Sequence, residues 1–399
     1  MRDLVILRFV TSPRRAPGGF PVVGIIGGGQ LARMCAGPAV ELGVTLSVLA
    51  ADAHDSAALV VPSAPVGGHT DLEAVRAFAR ACDVVTFDHE QVPAEVLAAL
   101  EADGATLHPR PSALRYAQDK LAMRERLSRA GIPCPAWAEV RDEGGLLAFA
   151  DQHGWPVVLK TPRGGYDGRG VLVATQPEDA TEWLARAAAA GEPLLVEERV
   201  PFVRELAVLV ARAPSGQASV WPVVETVQSG GICTEVLAPA PGLTPELAER
   251  ASDVALGIAA ELDVTGVFAV ELFELPEGHV VVNELAMRPH NSGHWSMDGA
   301  TTGQFEQHLR AVLDLPLGSP RARARWTVMA NVLGGVDADL YPTYRHVMAR
   351  DPELKVHLYG KAVRPGRKIG HVNLSGEDLA DLRERARHAA DYIEGAIRE

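Results

Sequence analysis

The sequence predicts a mixed α/β and α+β protein that opens with a doubly wound parallel sheet. Apolar runs at 22–26, 44–49 and 84–87 alternate with helical stretches at 30–42 and 72–81, and such alternation implies parallel strands covered on both faces. Further on, strand-like runs crowd together at 155–160, 171–174, 194–197, 205–211, 220–224, 267–275 and 279–285, with one amphipathic helix over 245–262 among them. At 399 residues the chain is too long for one core and suits two or three packed domains.

Breaks in the pattern set the expected boundaries. Residues 4–10 are apolar, but the run is short and lacks a basic start and a small-residue cleavage site. Arg14, Arg15, Pro17, Gly18 and Gly19 follow, so residues 1–20 read as a loosely ordered extension or a misplaced start. Pro109 and Pro111 precede a helix predicted over 112–130, which Gly131 ends. Pro316, Gly318 and Pro320 mark a linker. The expected division is therefore 1–20, 21–111, 112–316 and 317–399.

Composition narrows the class. Hydrophobic residues make 47% and charged residues 22%, as in soluble globular proteins. A net charge of −13 argues against a nucleic-acid partner, while a local basic pocket can still serve a small anion. Cys35, Cys82, Cys134 and Cys233 lie too far apart for a metal site and are too few for a disulfide framework, which predicts a reducing, cytoplasmic setting. No apolar run is long enough to cross a bilayer, so no membrane partner is expected.

Five segments carry candidate chemistry. Gly27, Gly29 and Ala32 form a G-x-G-x-x-A turn between strand and helix, with Asp52 where a ribose acid would sit; this admits a dinucleotide or a plain tight turn. Lys160 ends a strand and precedes Gly164, Gly165, Tyr166, Asp167, Gly168, Arg169 and Gly170. Four glycines in seven residues free the backbone to wrap phosphate oxygens, and Lys160 and Arg169 add charge. Third, a two-residue turn at Glu277–Gly278 would place Glu271 opposite Glu284, and two carboxylates about 5 Å apart across a ladder call for a cation such as magnesium. Fourth, the polar run from Arg288 to Trp295 follows directly and suits substrate positioning or a hydrogen-bonded surface loop. Last, Lys361, Arg364, Arg367, Lys368 and His371 form a basic knot, either a phosphate clamp or a solvated loop.

Taken together, GIIGGGQLARM from Gly24, GGYDGRG from Gly164, NELAMRPHNSGHW from Asn283 and VRPGRKIGHVNL from Val363 resemble the N5-carboxyaminoimidazole ribonucleotide synthetase family of ATP-grasp enzymes, over nearly the whole chain. The resemblance implies a three-domain ATP-grasp architecture, ATP and Mg2+, and a homodimer. It implies carboxylation of aminoimidazole ribonucleotide by bicarbonate through carboxyphosphate, in purine synthesis.

By matching position, the resemblance implies that Lys120, Lys160, Gly165, Gly168, Gly170, Glu197, Glu198, Val200, Glu205, Gln228 and Asn283 bind ATP, with Glu197–Val200 as the adenine hinge and Glu205 as the ribose acid. Glu271 and Glu284 would hold magnesium. Tyr166, Asp167, Arg169, His290, Asn291 and His294 would act in catalysis, and Gln30, Leu31, Glu90, Ser292, Lys361, Arg364 and Arg367 would hold the ribonucleotide. Asp88-His89-Glu90 departs from the expected Glu-Phe-Glu, Gln228 stands where some members have histidine, and Lys120 replaces a common arginine. Rival readings are a formate-dependent glycinamide ribonucleotide transformylase, a biotin-carboxylase-like enzyme, an NAD-dependent oxidoreductase and a non-catalytic nucleotide-binding regulator.

Overall fold

The computed structural model describes residues 13–164 and 170–398. The chain divides into two compact units, Met1–Pro111 with Tyr359–Lys361, and Ser112–Leu358 with Ala362–Glu399.

In the first unit, strand Val22–Ile26 lies between Thr45–Leu49 and Val84–Phe87, all parallel. Val22–Ile26 is buried along its whole length, as an interior strand covered on both faces must be. The helix predicted over 30–42 is two helices, Gln30–Met34 and Ala36–Leu42. Gly37 and Pro38 explain the break, because proline has no N–H to continue the first helix. Ahead of the sheet, Arg15 grips both oxygens of Asp83, at 2.7 and 3.0 Å.

The second unit contains two sheets. A four-stranded antiparallel sheet runs Trp137–Val140, Leu194–Glu198, Val157–Lys160, Val171–Ala174. Its core joins Leu159 and Val196 to Leu146 and Phe149 of helix Glu143–His153 and to Leu184 of helix Pro177–Ala190. Strand Val157–Lys160 begins after Pro156, later than the predicted residue 155.

The other sheet has nine strands. Arg204–Arg212 pairs with Gly266–Glu274, which pairs with Val280–Ala286. The strand predicted over 220–224 is replaced by Ala218–Val220 and Val224–Ser229. Between them Trp221 turns inward, 1% exposed, and donates from Nε1 to the Thr302 carbonyl at 3.0 Å. The sheet runs on past the linker residues, because Ile232–Ala238 pairs antiparallel with Trp326–Leu333, which pairs with Lys368–Gly376.

Helix 112–130 is also divided, into Pro111–Gln118 and Lys120–Arg129. Asp119 interrupts it with extended backbone and accepts from Ala122 N, capping the second helix. Arg163 holds the other oxygen of Asp119 at 2.9 and 3.1 Å. The break matters for the site, since it places Lys120 in the first turn of a new helix rather than mid-helix.

Candidate active site

Glu271 and Glu284 face each other, but not by the predicted route. The connection holds three residues rather than two: Leu275 N donates to His279 O at 2.8 Å, and Gly278 N to Leu275 O at 3.0 Å. Gly278 sits at φ +71°, a left-handed position that favours glycine. The strands therefore leave the turn one residue out of the predicted register, with Glu274 opposite Val280 and Leu272 opposite Val282. A bulge then inserts Asn283 as an extra residue, and the pairing resumes as Glu271 with Glu284 and Val270 with Leu285.

Asn283 is also what the smaller sheet grips. Lys160 Nζ lies 3.2 Å from Asn283 Oδ1 and 2.7 Å from Glu197 Oε2. Arg124, fully buried, donates from Nη2 to the Asn283 carbonyl at 2.7 Å and from Nε to Glu197 Oε1. Lys120 Nζ lies 3.2 Å from Glu284 Oε1, and its backbone N–H donates to Pro162 O at 2.9 Å. Five predicted residues, Lys120, Lys160, Glu197, Asn283 and Glu284, thus meet in one network. Arg124 was not predicted: in a helix with Arg126 and Arg129, nothing in the sequence separates the buried arginine from its neighbours.

The carboxylates of this network experience opposite fields. Burial pushes the Glu197 carboxyl up, but Arg124 and Lys160 outweigh it and hold the group below the usual range. Glu271 is raised, by burial first and then by Glu284 and Glu205, against weaker opposition from Lys368 and Arg288. A carboxylate crowded by like charge is a place where a cation lowers the energy. Among the described residues no group of three or more His, Cys, Asp or Glu is arranged to hold a metal. Two carboxylates fit magnesium even so, because that ion takes one or two protein oxygens and completes its shell with water and substrate phosphates.

The predicted polar loop closes one side. His290 Nε2 lies 3.3 Å from Glu271 Oε1. His290 Nδ1 lies 2.9 Å from Ser292 Oγ and 3.4 Å from Ser292 N, which fixes the ring with Nε2 facing Glu271. Burial, with Arg288 and Lys368, pulls His290 down to about 3, so the ring is neutral. The Asn291 amide pairs reciprocally with that of Asn331, both bonds at 2.8 Å. His294 is 1% exposed, and its ring centroid lies 4.9 Å from that of His371. Of the loop's predicted catalytic residues, His290 reaches Glu271, whereas the Asn291 and His294 side chains are taken up by the protein.

Other predicted residues are placed as follows. Glu198 Oε1 accepts from Ala136 N at 2.8 Å, and Val200 is buried. Glu205 is raised by burial, while a hydrogen bond from Gln228 opposes the shift. Gly170 O accepts from Thr161 N at 3.0 Å at the foot of the glycine-rich loop. Gly165, Tyr166, Asp167, Gly168 and Arg169 lie outside the described residues. Arg364 and Arg367 are exposed on a turn closed by Arg367 N donating to Arg364 O at 3.0 Å. Gln30, Leu31, Glu90 and Lys361 belong to the first unit, so the residues assigned to the ribonucleotide are divided between the units.

The first glycine turn is not open to a phosphate. Asp88 accepts from Gly29 N at 3.1 Å and from Ala32 N at 2.8 Å, occupying amides a dinucleotide would need. A Cβ on Gly29 would stand 2.1 Å from Asp88 Oδ2, so here glycine serves the carboxylate's approach. Asp52, the expected ribose acid, accepts from His54 N at 2.7 Å. These bonds remove the basis of the oxidoreductase reading.

The chain is similar to known proteins over nearly its whole length. Three family models match: the ribonucleotide synthetase preATP-grasp domain at 21–118, the ATP-grasp domain at 125–305, and the phosphoribosylaminoimidazole carboxylase C-terminal domain at 327–385. The N5-carboxyaminoimidazole ribonucleotide synthase of Mycobacterium tuberculosis H37Rv is 53% identical over 380 residues, covering 94% of this chain and 88% of the relative. That of Corynebacterium ammoniagenes is 47% identical over 392 residues, covering 96% and 95%. An ADP complex of an N5-carboxyaminoimidazole ribonucleotide synthetase superposes with a TM-score of 0.86 at 34% identity, covering 96% of this chain and 99% of that one. The Aspergillus clavatus enzyme with ADP and 5-aminoimidazole ribonucleotide gives 0.85 at 32% identity, covering 94% and 99%. The chain belongs to the N5-carboxyaminoimidazole ribonucleotide synthase family of ATP-grasp ligases.

Proposed function

We propose that the protein carboxylates 5-aminoimidazole ribonucleotide, using ATP and bicarbonate, to N5-carboxyaminoimidazole ribonucleotide in purine biosynthesis. The observation that carries the chemistry is the Glu271–Glu284 pair flanked by Lys120, Lys160 and Asn283. Glu271 and Glu284 would hold magnesium, which when bound offsets the charge that develops on the transferring phosphoryl group. Lys160 and Lys120 bring positive charge to the ATP phosphates, and His290 positions the Glu271 carboxyl through its Nε2.

Bicarbonate attacks the γ-phosphorus and ADP leaves, giving carboxyphosphate. This breaks down to carbon dioxide and inorganic phosphate, and the exocyclic amine of the ribonucleotide captures the carbon dioxide and loses a proton, giving the N5-carboxylate. Carboxyphosphate is labile in water, and the glycine-rich run around Tyr166, Asp167 and Arg169 has the composition of a covering lid. Arg364, Arg367 and Lys361 hold the ribonucleotide phosphate, with Gln30, Leu31, Glu90 and Ser292. Glu198, Val200, Glu205 and Gln228 take the adenosine end of ATP.

The matched regions at 21–118, 125–305 and 327–385 support a division into 21–111, 112–316 and 317–399. No disulfide joins Cys35, Cys82, Cys134 or Cys233, which supports the reducing cytoplasm as the working compartment. A homodimer is the proposed assembly, on the family resemblance. Among the described residues, no helix is long and apolar enough to cross a membrane.

The test is ADP release in the presence of ribonucleotide, with and without bicarbonate, beside formate and glycinamide ribonucleotide as the competing pair. Release that requires aminoimidazole ribonucleotide is expected. Release driven instead by glycinamide ribonucleotide and formate would overturn the assignment.

A further inference from the structure

The geometry points to Gln304 as a positioning residue of the active site, one that acts through the loop it clamps. This rests on the reading of Glu271 and His290 given above. Gln304 is fully buried at the start of helix Gln304–Val312. Its Oε1 accepts from His290 N at 2.9 Å, and its Nε2 donates to His290 O at 3.0 Å. One amide thus closes on both polar groups of the His290 main chain.

The same Nε2 lies 2.7 Å from His294 Nδ1. An amide nitrogen only donates, so Nδ1 must accept and the His294 proton resides on Nε2. Gln304 N donates to Ser296 Oγ at 2.9 Å, and that hydroxyl donates to Gly293 O at 2.6 Å. A Cβ on Gly293 would come within 2.6 Å of Gln304 Oε1, so the loop has room for this amide and little else. From the other side Asn331 takes the Asn291 amide, and Asn373 Nδ2 donates to His294 O at 3.1 Å.

All three braces are amides, and this suits the place. Glu271 lies 3.3 Å from His290, and its field changes whenever magnesium and a polyphosphate arrive. A charged brace would shift with that field or oppose it; a neutral amide holds geometry without adding a net charge beside the carboxylates. With His290 fixed at both N and O, its Nε2 stays aimed at Glu271. Displacement of a supporting shell by about 1 Å can cost a hundredfold in rate.

An internal control exists on the same helix. Gln307 is equally buried and makes the same double clamp on another peptide: Gly318 N donates to its Oε1 at 2.7 Å, and its Nε2 donates to Gly318 O at 2.8 Å. Gln304→Met and Gln307→Met both remove a double main-chain clamp of equal burial, and Gln304→Met also removes the His294 bond, so a purely structural role would let the two differ in stability but not in magnesium-dependent ATP binding.

The experiment compares both with wild type in thermal unfolding, in ribonucleotide-dependent ADP release and in magnesium-dependent ATP binding by calorimetry. Both variants are expected to lose melting temperature, Gln304→Met somewhat more through the His294 bond. Only Gln304→Met should lower kcat, by at least about tenfold, and weaken the magnesium-dependent part of ATP binding. Equal kcat and equal magnesium dependence in the two variants would overturn the inference. Wild type decides the proposed reaction separately, and the calorimetric arm needs no turnover, so either idea can fail alone.

Discussion

Arg124→Met should destabilise the protein by about 4 kcal/mol, an expectation that follows from two contacts, with Glu197 and the Asn283 carbonyl. The guanidinium is fully buried, and the Glu197 carboxylate it faces is 3% exposed. Removing one member of a buried ion pair ordinarily costs about 3–5 kcal/mol, because the remaining charge is stranded. Here Lys160 still lies 2.7 Å from Glu197 Oε2, so the lower end, about 3 kcal/mol, applies. The Asn283 carbonyl also loses its 2.7 Å donor, adding roughly 1 kcal/mol. For a unit of this size the loss corresponds to a fall in melting temperature on the order of 10 °C.

Urea unfolding of Arg124→Met, Glu197→Gln and the double variant would read both the cost and the coupling, expected at about 1–3 kcal/mol. The pH dependence adds a signed check. Glu197 is held below its ordinary range, so its contribution is present above the unfolded value and is lost as pH falls through the folded one. Arg124→Met should flatten that acid limb. A loss of less than about 1 kcal/mol would refute the reasoning, since it would mean the buried carboxylate never depended on Arg124.

Glu271→Gln should lower ADP release by roughly a hundredfold or more, while magnesium-free melting temperature holds or rises. The folded-state carboxyl is raised, so its ionised form opposes folding at neutral pH, and removing it relieves that opposition. Asp351 accepts from Arg385 at 2.7 and 2.8 Å and is held below the carboxylate range by that bond. Asp351→Asn should cost about 1–3 kcal/mol at neutral pH and much less in acid, where the wild type has already lost the contribution, as unfolding measured across pH would register. Asp167→Asn should leave ATP affinity nearly unchanged in a binding titration but depress carboxylation about a hundredfold; full activity would remove its proposed role.

Much of the functional chemistry was legible along the chain because it is written in local patterns. Strand–helix alternation marks the parallel sheet, since each strand buries both faces and each crossover needs a helix. Lys160 at a strand end before a glycine-dense run, and Glu271 and Glu284 at either side of a short turn, are likewise readable from residue type and spacing. The family motifs reinforce these same segments. Tertiary structure decided what depends on residues far apart in sequence. Whether the two glutamates face each other rests on the Asn283 bulge, which offsets the extra turn residue, and the main-chain carbonyl of Asn283 is held by Arg124, 159 residues away. The split of helix 112–130 rests on Asp119 being held by Arg163, 44 residues on. Asp88, 56 residues from Ala32, determines that the first glycine turn receives a carboxylate of its own chain and not a phosphate. Hydrogen bonds and ion pairs of this kind are set by which elements pack together, and periodicity reports only which face of an element is apolar, not which polar partner will meet it.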